Sequence, residues 1–174
     1  QADSAHFTPA GNGRVIQYYG GTALLEAPFF LAARAWSIAS GDTDPTAKGF
    51  PYQLSIALAS LFYLLLGLWL MRTLLIGLAI SEKVIALTLL IILLGTGLLY
   101  YAIMTPGMSH VHGFAMIALT LVEARRAWTG RPFGIQRASA ALAFTLLVRP
   151  THALILLALP LVAWADRKPL WPWV

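Results

Sequence analysis

Apolar residues in this chain come in long unbroken runs separated by short polar islands, rather than with the alternation of a surface strand or the stripe of a surface helix. Residues 1–14 are polar and carry Pro9, Gly11 and Gly13, which predicts a loop. Residues 15–36 are apolar but interrupted by Gly20, Gly21, Glu26, Pro28 and Arg34, with Tyr18, Tyr19 and Trp36 at the level where a ring stays partly wet. This pattern predicts a helix lying at a membrane interface and dipping inward. A polar loop follows, with Asp42, Asp44 and Lys48.

From Gln53 to Met71 no charge occurs, giving a first crossing that ends at Arg72, with Leu74–Ile80 as the rest of that helix or a short surface piece. A bilayer core of about 30 Å needs about 20 apolar residues in a helix. Between Val84 and Val122 there is no Asp, Glu, Lys or Arg, and Thr105-Pro106-Gly107 divides the run into helices over 84–104 and 109–127. Residues 123–137 read as a basic loop, followed by apolar runs over 138–148 and 153–165. These are two short spans around a turn at Arg149-Pro150-Thr151-His152, or one long helix kinked at Pro150. Two spans are favoured, since an arginine in mid-bilayer costs about 2.5–3.5 kcal/mol on insertion scales.

The expected fold is therefore all-α, a polytopic membrane helix bundle of about five spans with an N-terminal interfacial helix. Residues 1–52 would form an extracytoplasmic segment and 53–174 the transmembrane region. With five spans, Arg72, Lys83, Arg125, Arg126, Arg131, Arg137, Arg167 and Lys168 share one side, outnumbering Arg14, Arg34, Lys48 and Arg149 on the other. The positive-inside rule then places the N-terminal segment, the Pro106 turn and the Arg149 turn outside.

Composition sharpens this picture. Of 174 residues, 59% are hydrophobic and 11% charged, against roughly 45–50% and about 25% in a soluble domain, which excludes a soluble monomer. The net charge of +5 comes from basic residues placed between apolar runs, a topology pattern and not a nucleic-acid surface. There is no cysteine, hence neither disulfide nor thiolate site. The polar opening Gln1-Ala2-Asp3-Ser4 and the abrupt end at Trp171-Pro172-Trp173-Val174 give the expectation of an internal piece of a longer membrane protein.

Soluble-enzyme motifs are absent. Gly95-Thr96-Gly97 lies within a span, where small residues let helices approach, and is read as packing. The residues left to carry chemistry gather at the outer rim. Arg149 suits paired hydrogen bonds to phosphate, or snorkelling to headgroups. His110 and His112, two apart on one helix, point in different directions and do not share a metal, so no metal site is expected; His112 and His152 read as capping or wet interfacial residues. Glu26 is a candidate base or an interface residue, and Asp42 and Asp44 read as turn formers.

The order QYYGGTALLEAPFFLAARAW, GFPYQ, GTGLLYYAIMTPGMSH and LLVRPTHALILL resembles bacterial integral-membrane glycosyltransferases of the GT-C superfamily, related to the dolichyl-phosphate-mannose protein mannosyltransferases. The resemblance covers about residues 15–165. It implies sugar transfer from a polyprenyl-phosphate donor at the non-cytoplasmic face of the bacterial inner membrane, with membrane lipids and the lipid-linked sugar as partners, no nucleic acid, and the sugar, acceptor and any divalent-ion requirement left open. It implies lipid-phosphate or substrate contacts for Arg149, His110 and His152 and a groove lined by Tyr18 and Tyr19. The catalytic Asp is expected upstream of Gln1, with Asp3 and Glu26 as weak substitutes. Recognition of a phosphorylated lipid or sugar by a transporter or flippase is the alternative from another class, and a purely structural membrane subunit is a third.

Overall fold

The computed structural model describes residues 7–10, 13–16, 20–41 and 49–165. Two strands, β1 (Phe7–Ala10) and β2 (Gly13–Ile16), pair antiparallel with Phe7 opposite Ile16 and Ala10 opposite Gly13. They replace the loop expected over 1–14, and the β-branched pair Val15-Ile16 joins a ladder instead of opening a helix. Among the described residues from Gly20 onward all regular structure is helical: α1 (Gly20–Ala39), α2 (Phe50–Gly77), α3 (Glu82–Leu90), a π turn over Ile91–Gly95, α4 (Leu98–Ile103), α5 (Ser109–Trp128), α6 (Gly134–Val148), a 3-10 segment (Pro150–Leu157) and α7 (Leu159–Ala165).

The direction of each element follows from what its small residues touch. Gly67 lies against Phe114 and Ala115, and Gly77 against Arg125, so α2 and α5 run parallel. Gly134 lies against Ala127, and the Thr120 and Thr145 hydroxyls meet at 2.9 Å, so α6 returns antiparallel to α5. His152 then abuts Gly113 while Val162 joins Leu70, Leu74, Ala118 and Leu121, which turns the final segment parallel to α5 again. The run over 138–165 is thus two segments folded back on each other, with the break at Arg149, whose extended backbone (φ −159°, ψ 121°) precedes Pro150. α1 packs on α2, α5 and the end of α6.

Helix ends explain several boundaries. Pro51 occupies the first turn of α2, where its missing N–H is not needed. The helix runs through Arg72, which reaches Glu82 at 3.0 Å, and stops where the Ile80 N–H donates to the Leu75 carbonyl and the Ala79 N–H to Ile76. Ala79 takes the left-handed conformation (φ 59°) that glycine usually fills there. The Arg125 guanidinium donates to the Gly77 carbonyl, placing a cation at the negative end of α2. Arg125 and Arg126 lie in the last turns of α5, within the helix expected over 109–127. Arg126 pairs with buried Glu123, whose other oxygen lies 3.5 Å from Arg137 on α6. The expected basic loop over 123–137 contracts to 129–133, because these opposite charges neutralise one another across two helix ends.

The expected single helix over 84–104 is broken. Thr96 turns its hydroxyl back to the Ile92 carbonyl and leaves the helical conformation (φ −105°, ψ 167°). The nearest side chains to Gly95 and Gly97 are Ile91 and Tyr101 of the same pass, so this tripeptide breaks a helix and does not pack two together.

The core is built around α5, buried along Val111, His112, Gly113, Ala115, Met116, Ala118 and Thr120–Ala124. Outside it the surface is strongly apolar, with Leu58, Leu61, Leu65, Trp69, Leu87, Ile91, Leu94, Leu154, Leu157 and Leu161 exposed. Among the described residues, α2 is the one helix long and apolar enough to cross a membrane.

A side chain at Gly21 would meet the Leu147 and Val148 backbone, which has no rotamer with which to yield, whereas Gly20 faces open space. Gly21→Leu is expected to destabilise the protein by roughly 1–3 kcal/mol, read as a lowered midpoint in thermal unfolding in detergent, with Gly20→Leu close to wild type.

Candidate functional site

Two turns meet at one end of the bundle. The first, Thr105–Met108, delivers His110 in the opening turn of α5, where its ring stacks on Tyr101 with centroids 3.9 Å apart and planes 20° from parallel. The second is the break after α6, which projects Arg149 and then His152. The Arg149 guanidinium is close enough to act electrostatically on both imidazoles. His152 packs on Gly113, where any β-carbon would collide with the ring. Arg149 is half-buried, and among the described residues no carboxylate pairs with it. Burial pushes the His152 imidazole below its ordinary pKa; the Thr145 carbonyl opposes this shift, while Arg149 and His110 reinforce it. A cationic group flanked by two rings that carry N–H donors suits an anion with several acceptor oxygens.

The other side of the opening turns of α5 holds a different pair. His112 is fully buried, contrary to the capping or wet position expected from sequence, because α1 covers this face. Its Nδ1 lies 3.3 Å from the Met108 carbonyl, one turn back, and its Nε2 lies 3.4 Å from Glu26 Oε1. A proton on Nδ1 donated to the carbonyl leaves a lone pair on Nε2 facing the carboxyl group. The Tyr63 ring packs on His112 at 4.9 Å, and its hydroxyl donates to the Leu25 carbonyl at 2.9 Å, tying α1 to α2 beside the pair. Burial alone pushes the Glu26 carboxyl up to about 7. Sequence reading named Glu26 but gave it no partner. The signal that could have found the pair is a carboxylate in an apolar stretch matched by a histidine in an otherwise apolar span.

Of the remaining sequence candidates, Tyr18, Tyr19, Asp3, Asp42 and Asp44 lie outside the described residues. His110, Arg149 and His152 come together as one cluster. Among the described residues no group of three metal-ligating side chains assembles. No protein family, curated protein or solved structure matches the chain.

The raised Glu26 carboxyl has a definite consequence for stability. Its folded-state pKa of about 7 exceeds the ordinary 4.5, so the stabilising contribution of the protonated form is complete below about 4.5 and is lost as pH rises through about 7. Thermal melts from pH 4.5 to 8 are expected to show this decline in the wild type and a flatter profile in Glu26→Gln. Equal slopes in the two proteins would remove Glu26 as its source.

Proposed function

We propose that this chain is part of a membrane-embedded glycosyltransferase that moves a sugar from a polyprenyl-phosphate donor to an acceptor at the extracytoplasmic face. The observation that carries the reading is the convergence of Arg149, His110 and His152, from two separate turns, on one end of an apolar bundle. In such a transfer the acceptor oxygen attacks the anomeric carbon, the bond from that carbon to the phosphate oxygen breaks, and its electron pair leaves on the phosphate. Arg149 stabilises the charge that grows there, and the two imidazoles supply further hydrogen bonds. The exposed apolar side chains around the bundle suit a bilayer, since soluble monomers rarely leave such large continuous patches uncovered.

In this reading the five passes from α2 onward are five membrane crossings. α1 lies at the outer interface, and the Pro106 and Arg149 turns face the periplasmic side of a bacterial inner membrane. The second reading, a transporter or flippase for a phosphorylated lipid or sugar, is favoured by one observation: the second pass is broken midway at Gly95-Thr96-Gly97, as helices around transport sites often are. The polar side chains, however, collect at the end of the bundle and not at that break.

Because the chain lacks cysteine, single-cysteine variants report topology cleanly. Ser109→Cys and Thr151→Cys are expected to react with an impermeant maleimide from outside, and Thr129→Cys only after permeabilisation; inside labelling of either outer site breaks the topology.

Arg149→Ala, with insertion preserved, is expected to slow transfer from a polyprenyl-phosphate sugar about a hundredfold, as loss of an oxyanion donor does, and Arg149→Lys to restore part of it. Unchanged transfer in Arg149→Ala removes the arginine from the site. Translocation of a labelled phospholipid that depends on Arg149, without any sugar transfer, selects the transporter reading.

A further inference from the structure

The cluster at Arg149 makes no use of Glu26 and His112, yet Glu26 lines the cavity between α1 and α2, and His112 stands behind it, 3.4 Å from its Oε1. Its volume is about 270 Å³, and its walls are Ala23, Ala27, Phe29, Phe30 and Ile56 with two polar side chains, Glu26 and Ser55. The Ser55 hydroxyl is already committed to the Tyr52 carbonyl at 2.7 Å. Glu26 Oε1 and His112 Nε2 face each other at 3.4 Å without completing a hydrogen bond, and both atoms are buried. The Tyr52 hydroxyl is buried and unbonded as well, its ring tilted against cavity-lining Phe30 with centroids 5.2 Å apart. Three unsatisfied buried polar atoms close to one apolar cavity are costly unless something completes them.

We propose that this cavity binds the hydroxyl end of an apolar molecule, an alcohol on a hydrocarbon stem, with Glu26 holding the hydroxyl and His112 backing the carboxyl group. A protonated carboxyl group presents one donor and one acceptor, and a hydroxyl is both at once. An ammonium brings three donors and no acceptor, which one carboxyl group does not satisfy. A carboxylate or phosphate would set its charge against Glu26. The phenyl faces of Phe29 and Phe30 receive the stem. As the transfer acceptor, the alcohol gives its proton to the Glu26 carboxyl group, whose own proton passes to His112 Nε2, while the alcohol oxygen bonds the anomeric carbon and the donor phosphate departs toward Arg149. That role rests on the transferase reading, whereas occupancy of the cavity does not.

The test uses the wild-type chain in detergent and a diazirine-bearing dodecanol as photoprobe. Crosslinks are expected in α1 and the first turns of α2, and unlabelled dodecanol should compete about tenfold better than dodecyl methyl ether, the difference one hydrogen bond to a charged group makes. Glu26→Leu, which removes both donor and acceptor, should abolish that preference, and Ala27→Trp, which fills the cavity, should abolish labelling. Equal competition by alcohol and ether, a preference that survives Glu26→Leu, or labelling that survives Ala27→Trp overturns the site. Labelling as expected with no turnover of any polyprenyl-phosphate sugar sinks the transferase reading and leaves the site standing. Transfer that needs Arg149 but is indifferent to Ala27→Trp does the reverse.

Discussion

The architecture depends on how closely the neighbouring elements approach α5. Along its buried length the helix presents Gly113, Ala115 and Ala118, and the partners answer with their own small positions, Gly67 on α2 and Gly134 on α6. Small residues let the helix backbones come close, and van der Waals contact and hydrogen bonds between helices then join these elements. The Thr120–Thr145 contact and the Tyr63 bond to the Leu25 carbonyl are of that kind. Because α5 is enclosed, whatever polar groups it carries in its opening turns become the chemistry of that end of the molecule.

Those turns divide the chemistry by face. His110 looks toward Tyr101 and Arg149; His112 looks toward Glu26 and Tyr63. His152, wedged on Gly113, belongs to the arginine side. A cluster of Arg149, His110 and His152 and a facing carboxyl and imidazole thus flank one helix end, and the two-residue spacing of the histidines is what sends them apart. At the other end, charge is spent structurally: Arg125 caps α2, Arg72 pairs with Glu82, and Glu123 joins Arg126 and Arg137. The chemical asymmetry of the bundle is therefore one of unpaired against paired groups, more than of charge sign.

Much of the helical plan was legible in the sequence because long apolar runs have few alternatives. The start of α5 at Ser109, the division after Ile103 and the break at Arg149 all follow from proline, glycine or a charge interrupting such a run. The hairpin at Phe7–Ile16 was not legible, since a polar stretch with glycines reads equally as a loop, and the pairing of Phe7 with Ile16 is a contact between strands, not a composition. Gly95-Thr96-Gly97 was misread for a related reason: small residues permit both close packing and a broken helix, and only the absence of a neighbour against them, with Thr96 bonding back to Ile92, decides.

The sequence by itself determined the helical class, the apolar exterior and the gathering of His110, Arg149 and His152 near two turns, because those depend on local spacing and on which residue types an apolar run excludes. The tertiary structure alone decided that His112 is buried and faces Glu26 and that Arg125 closes α2. Each of these joins residues far apart along the chain. The free energy of bringing such groups together lies in packing geometry, where a missing β-carbon or a ring's angle sets the outcome, and no local pattern records it.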